Sequence, residues 1–144
     1  MTPGSQNDDP GAETTVMDGS ATMSSRMLCG NGVVTVSGEL DVYTAPAFRD
    51  RLAEAAARSE ADVVCDLSTV SYFDSTTIGV LVGALKNVCT RPGQRQLRVV
   101  APTDPVRKVL QLTGLDQVIP VYATVADALA ARAPAQPQVK DTSP

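Results

Sequence analysis

The sequence predicts an α/β protein with one domain, a mixed and mainly parallel sheet of four to five strands, and about four packed helices. Short β-branched runs alternate along the chain with segments whose apolar residues recur at helical spacing. Strands that are joined through helices need crossover connections, which make neighbouring strands parallel. A hairpin ahead of the first helix adds an antiparallel edge. Of the 144 residues, 43% are apolar, which is enough for a buried core.

Five short runs have the composition of strands. Aliphatic and β-branched residues dominate them, and turn residues bound them. The sequence Gly-Asn-Gly at 30–32 separates the first two runs and predicts the turn of a hairpin. In chain order the runs are residues 26–29, 33–37, 63–67, 97–101 and 118–122.

Four segments between and after these runs carry helix signals. Thr44 and Asp104 have the position of N-caps, and Gly114 that of a residue just past a helix end. The last helix is predicted over residues 125–131. The second follows Asp74 and carries apolar residues at i, i+3, i+4 and i+7. These inward-facing residues are Ile78, Leu81, Val82 and Leu85.

Polar segments flank the predicted domain, which spans residues 26–132. Residues 1–25 are rich in Gly, Ser, Thr, Asp and Pro, and residues 133–144 contain three prolines and few apolar residues. Such segments cannot bury enough surface to offset the entropy lost on ordering. We therefore expect two disordered tails.

Composition excludes several function classes. The net charge of −4 and the lack of a run of Lys and Arg argue against nucleic acid or a membrane surface as a partner. The chain has no histidine, which removes the Ser-His-Asp triad and His-ligated zinc. With no Gly-rich phosphate loop or paired-Cys motif, we expect neither an enzyme nor a bound metal or cofactor. No signal-peptide pattern or membrane span is present in the sequence, so we expect a cytoplasmic protein.

The three cysteines are too few for a disulfide scaffold. Cys65 lies in an apolar strand and is expected to be a small buried residue. Cys29 and Cys89 could form a redox-regulated disulfide only if their Cα atoms lie within about 7 Å.

One segment has the pattern of a modification site. Asp74 precedes three hydroxyl residues, Ser75–Thr77, where a strand should pass into a helix. A hydroxyl at a helix N-terminus is accessible, and the free N–H groups there could hold a phosphate. The alternative is that Ser75 or Asp74 only caps the helix.

The helix that follows has an unusual second face. Opposite the apolar stripe, its residues are small and mostly uncharged, whereas an exposed face is normally charged. This predicts a docking surface next to the hydroxyls; the alternative is packing against another part of the chain. The face comprises Val80, Gly83, Ala84 and Asn87.

A second acidic segment, Gly38–Asp41 with sequence GELD, leaves the sheet before the first helix. Its acids are expected on the same rim as Asp74. Acids on one rim could bind Mg²⁺ or act as an acid/base pair, and the alternative is that they are solvated.

The two segments Gly38–Asp41 (GELD) and Asp74–Gly79 (DSTTIG), at this separation, resemble the STAS-domain family of anti-sigma factor antagonists. The strand, helix and closing Thr-Gly-Leu of Val99–Leu115 resemble the last third of that family, so the resemblance covers residues 26–131. It implies a regulatory binding protein of bacterial transcription. In the family, the unphosphorylated antagonist binds a kinase-fold anti-sigma factor, which then releases a sigma factor. The anti-sigma factor also phosphorylates the antagonist, and a PP2C-type phosphatase reverses this modification.

By position, the resemblance implies Ser75 as the phosphoacceptor. Thr77 stands where family members often have Gly, which leaves Thr76 and Thr77 as alternative acceptors. Together with the docking face, the expected partner-binding residues are Asp41, Asp74, Ser75, Thr76, Val80, Gly83, Ala84 and Asn87. The alternative function is a STAS accessory subunit of a transporter or larger signalling assembly that is never phosphorylated.

Overall fold

A computed structural model describes residues 14–18, 20–90 and 95–131 and contains one sheet with helices on both faces. Six strands in these ranges lie across the sheet in chain order. They are β1 (Thr14–Asp18), β2 (Ala21–Leu28), β3 (Asn31–Leu40), β4 (Val63–Phe73), β5 (Leu97–Val100) and β6 (Val121–Tyr122).

Four α-helices connect or follow the last four strands. They are α1 (Ala45–Arg58), α2 (Ser75–Cys89), α3 (Val106–Thr113) and α4 (Val125–Ala130), and a 3₁₀ turn covers Leu115–Gln117. No helix in the described ranges has both the length and the apolar character needed to cross a bilayer.

The predicted α/β class and the mixed sheet are confirmed. β1 pairs with β2 and β2 with β3 in antiparallel fashion, whereas β3, β4, β5 and β6 follow one another as parallel neighbours. The antiparallel edge has one strand more than expected, because β1 continues the sheet beyond the predicted hairpin.

The prediction of a disordered tail over residues 1–25 is wrong from residue 14 onward. β1 and β2 pair from Thr14↔Ser25 to Asp18↔Ala21, and β2 continues along β3. Ala21 and Met23 are buried. The Ser and Thr residues of β2 are only partly exposed, and strands tolerate Thr well. Residues 1–13 and 133–144, also predicted as tails, lie outside the described residues.

The hairpin turn lies one residue before the predicted position. Leu28 pairs with Asn31, so Cys29 and Gly30 form the turn. Both have positive φ, 52° for Cys29 and 83° for Gly30, as a type I′ turn requires. Asn31 begins β3, is buried, and its side-chain oxygen accepts a hydrogen bond from the Asp62 N–H at 3.0 Å.

The sheet buries both faces. Consecutive residues of a strand point to opposite sides, and the core divides accordingly. Val33, Val64 and Val100 pack with Ala128 of α4 on one face. Val34 and Cys65, each one residue later in its strand, belong to the larger cluster with Phe48 and Leu52 of α1, Leu81 of α2 and Leu110 of α3.

β4 is six residues longer than predicted because its second half does not alternate. Leu67, Val70 and Phe73 are buried at intervals of three, and the pairing with β3 shifts register twice there. Hydroxyls of the extra residues bond to β3 carbonyls: Thr69 Oγ1 to Val36 O at 3.1 Å and Ser71 Oγ to Gly38 O at 3.2 Å. These irregularities carry β4 to the edge where α2 begins.

Arg98 links β5 to the end of α4 through hydrogen bonds and also pairs with Asp62. It lies on β5 with 1% exposure, and its Nη1 is 2.9 Å from Asp62 Oδ2. The guanidinium also donates to the carbonyls of Ala128 (3.2 Å) and Ala131 (3.4 Å) at the end of α4. A buried arginine is stable only when its charge and donors are paired in this way.

The helix ends agree in part with the predicted signals. Gly114 ends α3 with φ 78°, and the Thr124 side chain caps α4 by accepting from Asp127 N at 3.0 Å. Thr44 has the N-cap position of α1 but makes no side-chain cap. Pro105, rather than Asp104, has the N-cap position of α3.

Candidate functional site

The two acidic segments meet at one edge of the sheet. β3 and β4 are parallel, and their last residues, Leu40 and Phe73, are paired. Asp41 and Asp74 therefore leave the sheet side by side, at its carboxyl edge, where α/β folds place their sites. We call this edge, with the loop 41–44 and the first turn of α2, the acceptor rim.

Asp74 caps α2, so the cap does not need the Ser75 hydroxyl. The Asp74 carboxylate accepts from Thr77 N at 3.2 Å, as an N-cap does. Ser75 is the first residue of the helix and is exposed. Its hydroxyl has no hydrogen-bond partner within the described part of the chain. Of the two readings of this motif, capping therefore belongs to Asp74.

Thr77 is not an alternative acceptor, and that prediction is wrong. Its side chain is 0% exposed. Its Oγ1 donates to the carbonyl of Leu40 at 3.1 Å, with Asp74 Oδ1 at 3.3 Å. The β-branched side chain fills the space between the start of α2 and the end of β3. Thr76 remains exposed beside Ser75.

Asp41 shapes the loop at the other side of the rim. Its Oδ1 accepts from the N–H groups of Tyr43 (2.9 Å) and Thr44 (3.1 Å). Thr44 Oγ1 donates to Glu39 O and accepts from Asp41 N, both at 2.9 Å. This explains why Thr44 does not cap α1: its hydroxyl is bound by the loop that precedes it.

The loop presents two side chains that sequence reasoning missed. Val42 is 56% exposed and Tyr43 is 83% exposed. Exposed apolar and aromatic side chains that lie close together are typical of protein interfaces. The signal in the sequence was a Val-Tyr pair in a loop between a strand end and a helix start, where polar residues are usual.

The predicted docking face of α2 forms one wall of a groove. The groove has a volume of about 540 Å³ and runs between α2 and α1. Its α2 wall contains Thr76, Gly79, Val80, Gly83, Ala84 and Asn87. The groove thus contains five of the six α2 residues predicted to bind a partner, all except Ser75, and it adds α1 as a second wall that the sequence did not indicate.

The inward stripe of α2 is shifted from its predicted position. Leu81 is buried as expected, but Ile78, Val82 and Leu85 are only partly buried. Thr77 and Val88 are the other fully buried residues of the helix. Val80 and Ala84 also pack partly against the core, because α2 is held between the sheet and α1.

The acidic residues do not form a metal cluster. Among the described residues, no group of three or more Cys, Asp or Glu side chains is close enough to hold a metal ion. The carboxylates of Asp41 and Asp74 instead bind N–H groups of their own turns.

The cysteines lie away from the rim and are free. Cys65 is buried, as predicted, and burial together with neighbouring Asp66 raises the pKa of its thiol. Cys29 and Cys89 are exposed.

Comparison with known proteins agrees with this architecture. Residues 24–128 match the family model of the STAS domain. Over 88 residues the chain is 35% identical to the anti-sigma-B factor antagonist of Listeria monocytogenes and 34% identical to that of Staphylococcus aureus. Each alignment covers 61% of this chain, with 75% and 80% of the respective relative.

A solved structure is similar over most of its length. The anti-sigma factor antagonist from Mycobacterium paratuberculosis superposes with a TM-score of 0.69 at 32% identity, covering 83% of this chain and 93% of that one. All three are named as antagonists of an anti-sigma factor. With the family model matched over most of the chain, the protein belongs to the STAS-domain family, and its named relatives are anti-sigma factor antagonists.

Proposed function

We propose that this protein is an anti-sigma factor antagonist switched by phosphorylation at Ser75. In the unphosphorylated state it binds a kinase-type anti-sigma factor in the cytoplasm, and a sigma factor is released. One observation carries the proposal: the Ser75 hydroxyl is exposed at the first position of α2, free of hydrogen bonds within the described ranges, because Asp74 provides the cap.

The reaction needs only a hydroxyl from this chain. The Ser75 oxygen bonds to the γ-phosphorus of an ATP held by the anti-sigma factor, the bond from that phosphorus to the bridging oxygen breaks, and ADP leaves. The hydroxyl proton passes to a base of the kinase. A phosphatase of the PP2C type returns the free hydroxyl by hydrolysis.

The physical basis of the switch is charge at the acceptor rim. A phosphate adds about −1.5 to −2 charges directly beside Asp74 and on the same rim as Asp41. The fold tolerates this charge, because the first N–H groups of a helix and its dipole stabilise anions. A partner docked on the rim must desolvate the phosphate, so affinity is lost.

The acceptor is Ser75 rather than Thr76. Both are exposed, but Thr76 also lines the groove, where a bound partner would cover it. Phosphosite mapping after incubation with the kinase and ATP distinguishes the two residues. Modification of Thr76 alone contradicts this assignment.

The experiment is a titration of purified kinase-fold anti-sigma factors from the source genome with three forms of the chain. The wild type and Ser75→Ala bind comparably, since one exposed hydroxyl contributes about 1 kcal/mol or less. Ser75→Asp binds at least a hundredfold more weakly. Equal affinities for the Ala and Asp variants refute the charge switch.

The same titration addresses the accessory-subunit alternative. A chain that no kinase-fold anti-sigma factor binds or phosphorylates, but that co-purifies stoichiometrically with a transporter, supports that alternative instead. The docking groove needs no acceptor hydroxyl in that case.

A further inference from the structure

We propose that the groove between α1 and α2 receives an apolar segment of the anti-sigma factor, and that this segment places a carboxylate against Arg49. The inference rests on the proposed function and extends it. It names a second contact, beyond the acceptor rim, that holds the same partner.

The groove is apolar and built from both helices. Ala45 and Ala53 of α1 face Val80 and Ala84 of α2, and the buried side chain of Leu52 lies between the walls. Its volume, about 540 Å³, suits a few side chains of a docked segment. Most of the lining side chains are aliphatic, so the matching surface is mainly apolar.

The groove is continuous with the acceptor rim. Thr76, which follows the acceptor, and Val42, which follows Asp41, line one end of it. A kinase that reaches the Ser75 hydroxyl therefore lies over the mouth of the groove. The occupant is then the anti-sigma factor itself, and not an unrelated molecule.

Two glycines of α2 are not required by packing against the described part of the chain. A Cβ added at Gly79 or Gly83 would meet no described atom within 4 Å. Glycine inside a helix is less favourable than alanine. The missing side chains leave the helix backbone open along the groove, which favours close approach by a second molecule.

The charge of the groove indicates the chemistry of the segment. Among the residues that the structure describes, Arg49 is the only charged one that lines the groove. The Nε of Arg49 lies 3.8 Å from Asp50 Oδ1, and both side chains are more than half exposed, so this contact is weak. A carboxylate on the docked segment would pair with Arg49 and set its orientation.

The test uses isothermal titration of the full chain with the kinase-fold anti-sigma factor that binds the wild type. Ala53→Leu fills the groove and is expected to raise Kd at least tenfold. The matched control is Ala57→Leu, one turn further along α1, exposed and outside the groove; its Kd stays within twofold. Arg49→Glu is expected to raise Kd at least tenfold, and Arg58→Glu, also exposed and outside the groove, less than threefold.

A fourth variant separates docking from folding. Gly83→Ala removes a glycine from a helix interior and is expected to raise Tm by about 4 °C, while it weakens binding about threefold or more. A more stable protein that binds less well cannot be explained by unfolding. Unchanged binding by Ala53→Leu and Gly83→Ala overturns the groove proposal.

The outcomes also separate this inference from the function on which it rests. If Ser75→Asp abolishes binding but the groove variants bind like the wild type, the switch holds and the groove is not a docking site. If the wild type is a dimer by sedimentation and Ala53→Leu makes it monomeric, the occupant is a second copy and the proposal is wrong.

Discussion

The Thr77 hydroxyl and the Leu40 carbonyl, 3.1 Å apart, join the first turn of α2 to the end of β3. Thr77, which stands where members of the resembled family often have Gly, is therefore a structural tether between α2 and β3. It connects the helix that begins at Ser75 to the strand that leads into the loop 41–44. The two sides of the acceptor rim are thus held by one buried hydrogen bond in addition to the pairing of β3 with β4.

Thr77→Val is expected to lower the free energy of unfolding by about 1–2 kcal/mol. The side chain keeps its shape, but a buried carbonyl loses its donor. Urea denaturation followed by circular dichroism measures the change. Thr77→Ser keeps the donor and serves as the control for the hydrogen bond, although it loses one methyl group. A Val variant as stable as the wild type contradicts the tether.

Tyr43→Ala is expected to weaken binding of the anti-sigma factor at least tenfold without altering stability by more than about 0.5 kcal/mol. Tyr43 is exposed and its only described polar contact is through its N–H, which the variant retains. Leu112→Ala is the control, because Leu112 is also an exposed apolar residue and lies on α3. Equal losses of affinity for both variants would mean that the loop 41–44 does not contact the anti-sigma factor.

Arg98→Met is expected to destabilise the chain by about 3 kcal/mol, because it removes the cation that pairs with Asp62 and the donor to the Ala128 and Ala131 carbonyls. Thermal or urea unfolding measures this loss. Arg107→Met, at an exposed position of α3, is expected to change stability by less than about 0.5 kcal/mol. Comparable stability of the two variants contradicts the role assigned to Arg98.

The folded chain is expected to react with Ellman's reagent at Cys29 and Cys89 and not at Cys65. The first two thiols are exposed and the third is buried, with a pKa raised by burial and by Asp66. Thiolate is the reactive form, so Cys65 stays inert near neutral pH and reacts only in denaturant. Rapid labelling of all three thiols in the native protein contradicts the burial of Cys65.

Cys29→Asn is expected to stabilise the protein by about 0.5–1 kcal/mol. Cys29 has φ 52° in the hairpin turn, a conformation that Asn adopts more readily than most residues. Chemical denaturation gives the difference. Cys89→Ala, at the end of α2, removes an exposed thiol without changing a strained backbone and should be nearly neutral.

The sequence contains enough to predict the fold class, the order of most elements and an accessible Ser75 at the start of α2. Those signals are local: β-branched runs, helical spacing, Gly114, and an acid followed by hydroxyls. They depend on neighbouring residues alone, and each helix and strand predicted from β3 to α4 is present in the structure, although several bounds differ.

The features that were missed depend on contacts between distant segments. β1 and the start of β2 are stabilised by pairing, which their mixed polar and apolar composition does not reveal. The irregular half of β4 depends on hydroxyl bonds to β3 carbonyls. The second wall of the groove comes from α1, and the side chain of Arg98 is compensated by Asp62 and the end of α4. None of these partners can be identified from local patterns.

At the start of α2 the residues that stabilise the helix differ from the proposed acceptor, and this has a consequence for the rate of the proposed phosphorylation cycle. Asp74 and Thr77 hold the start of the helix, so in the proposed switch residue 75 changes between alcohol and phosphate ester while the backbone around it stays the same. Each round of the cycle would then begin from an intact scaffold, with no refolding delay, and its speed would be limited only by the two enzymes that add and remove the group.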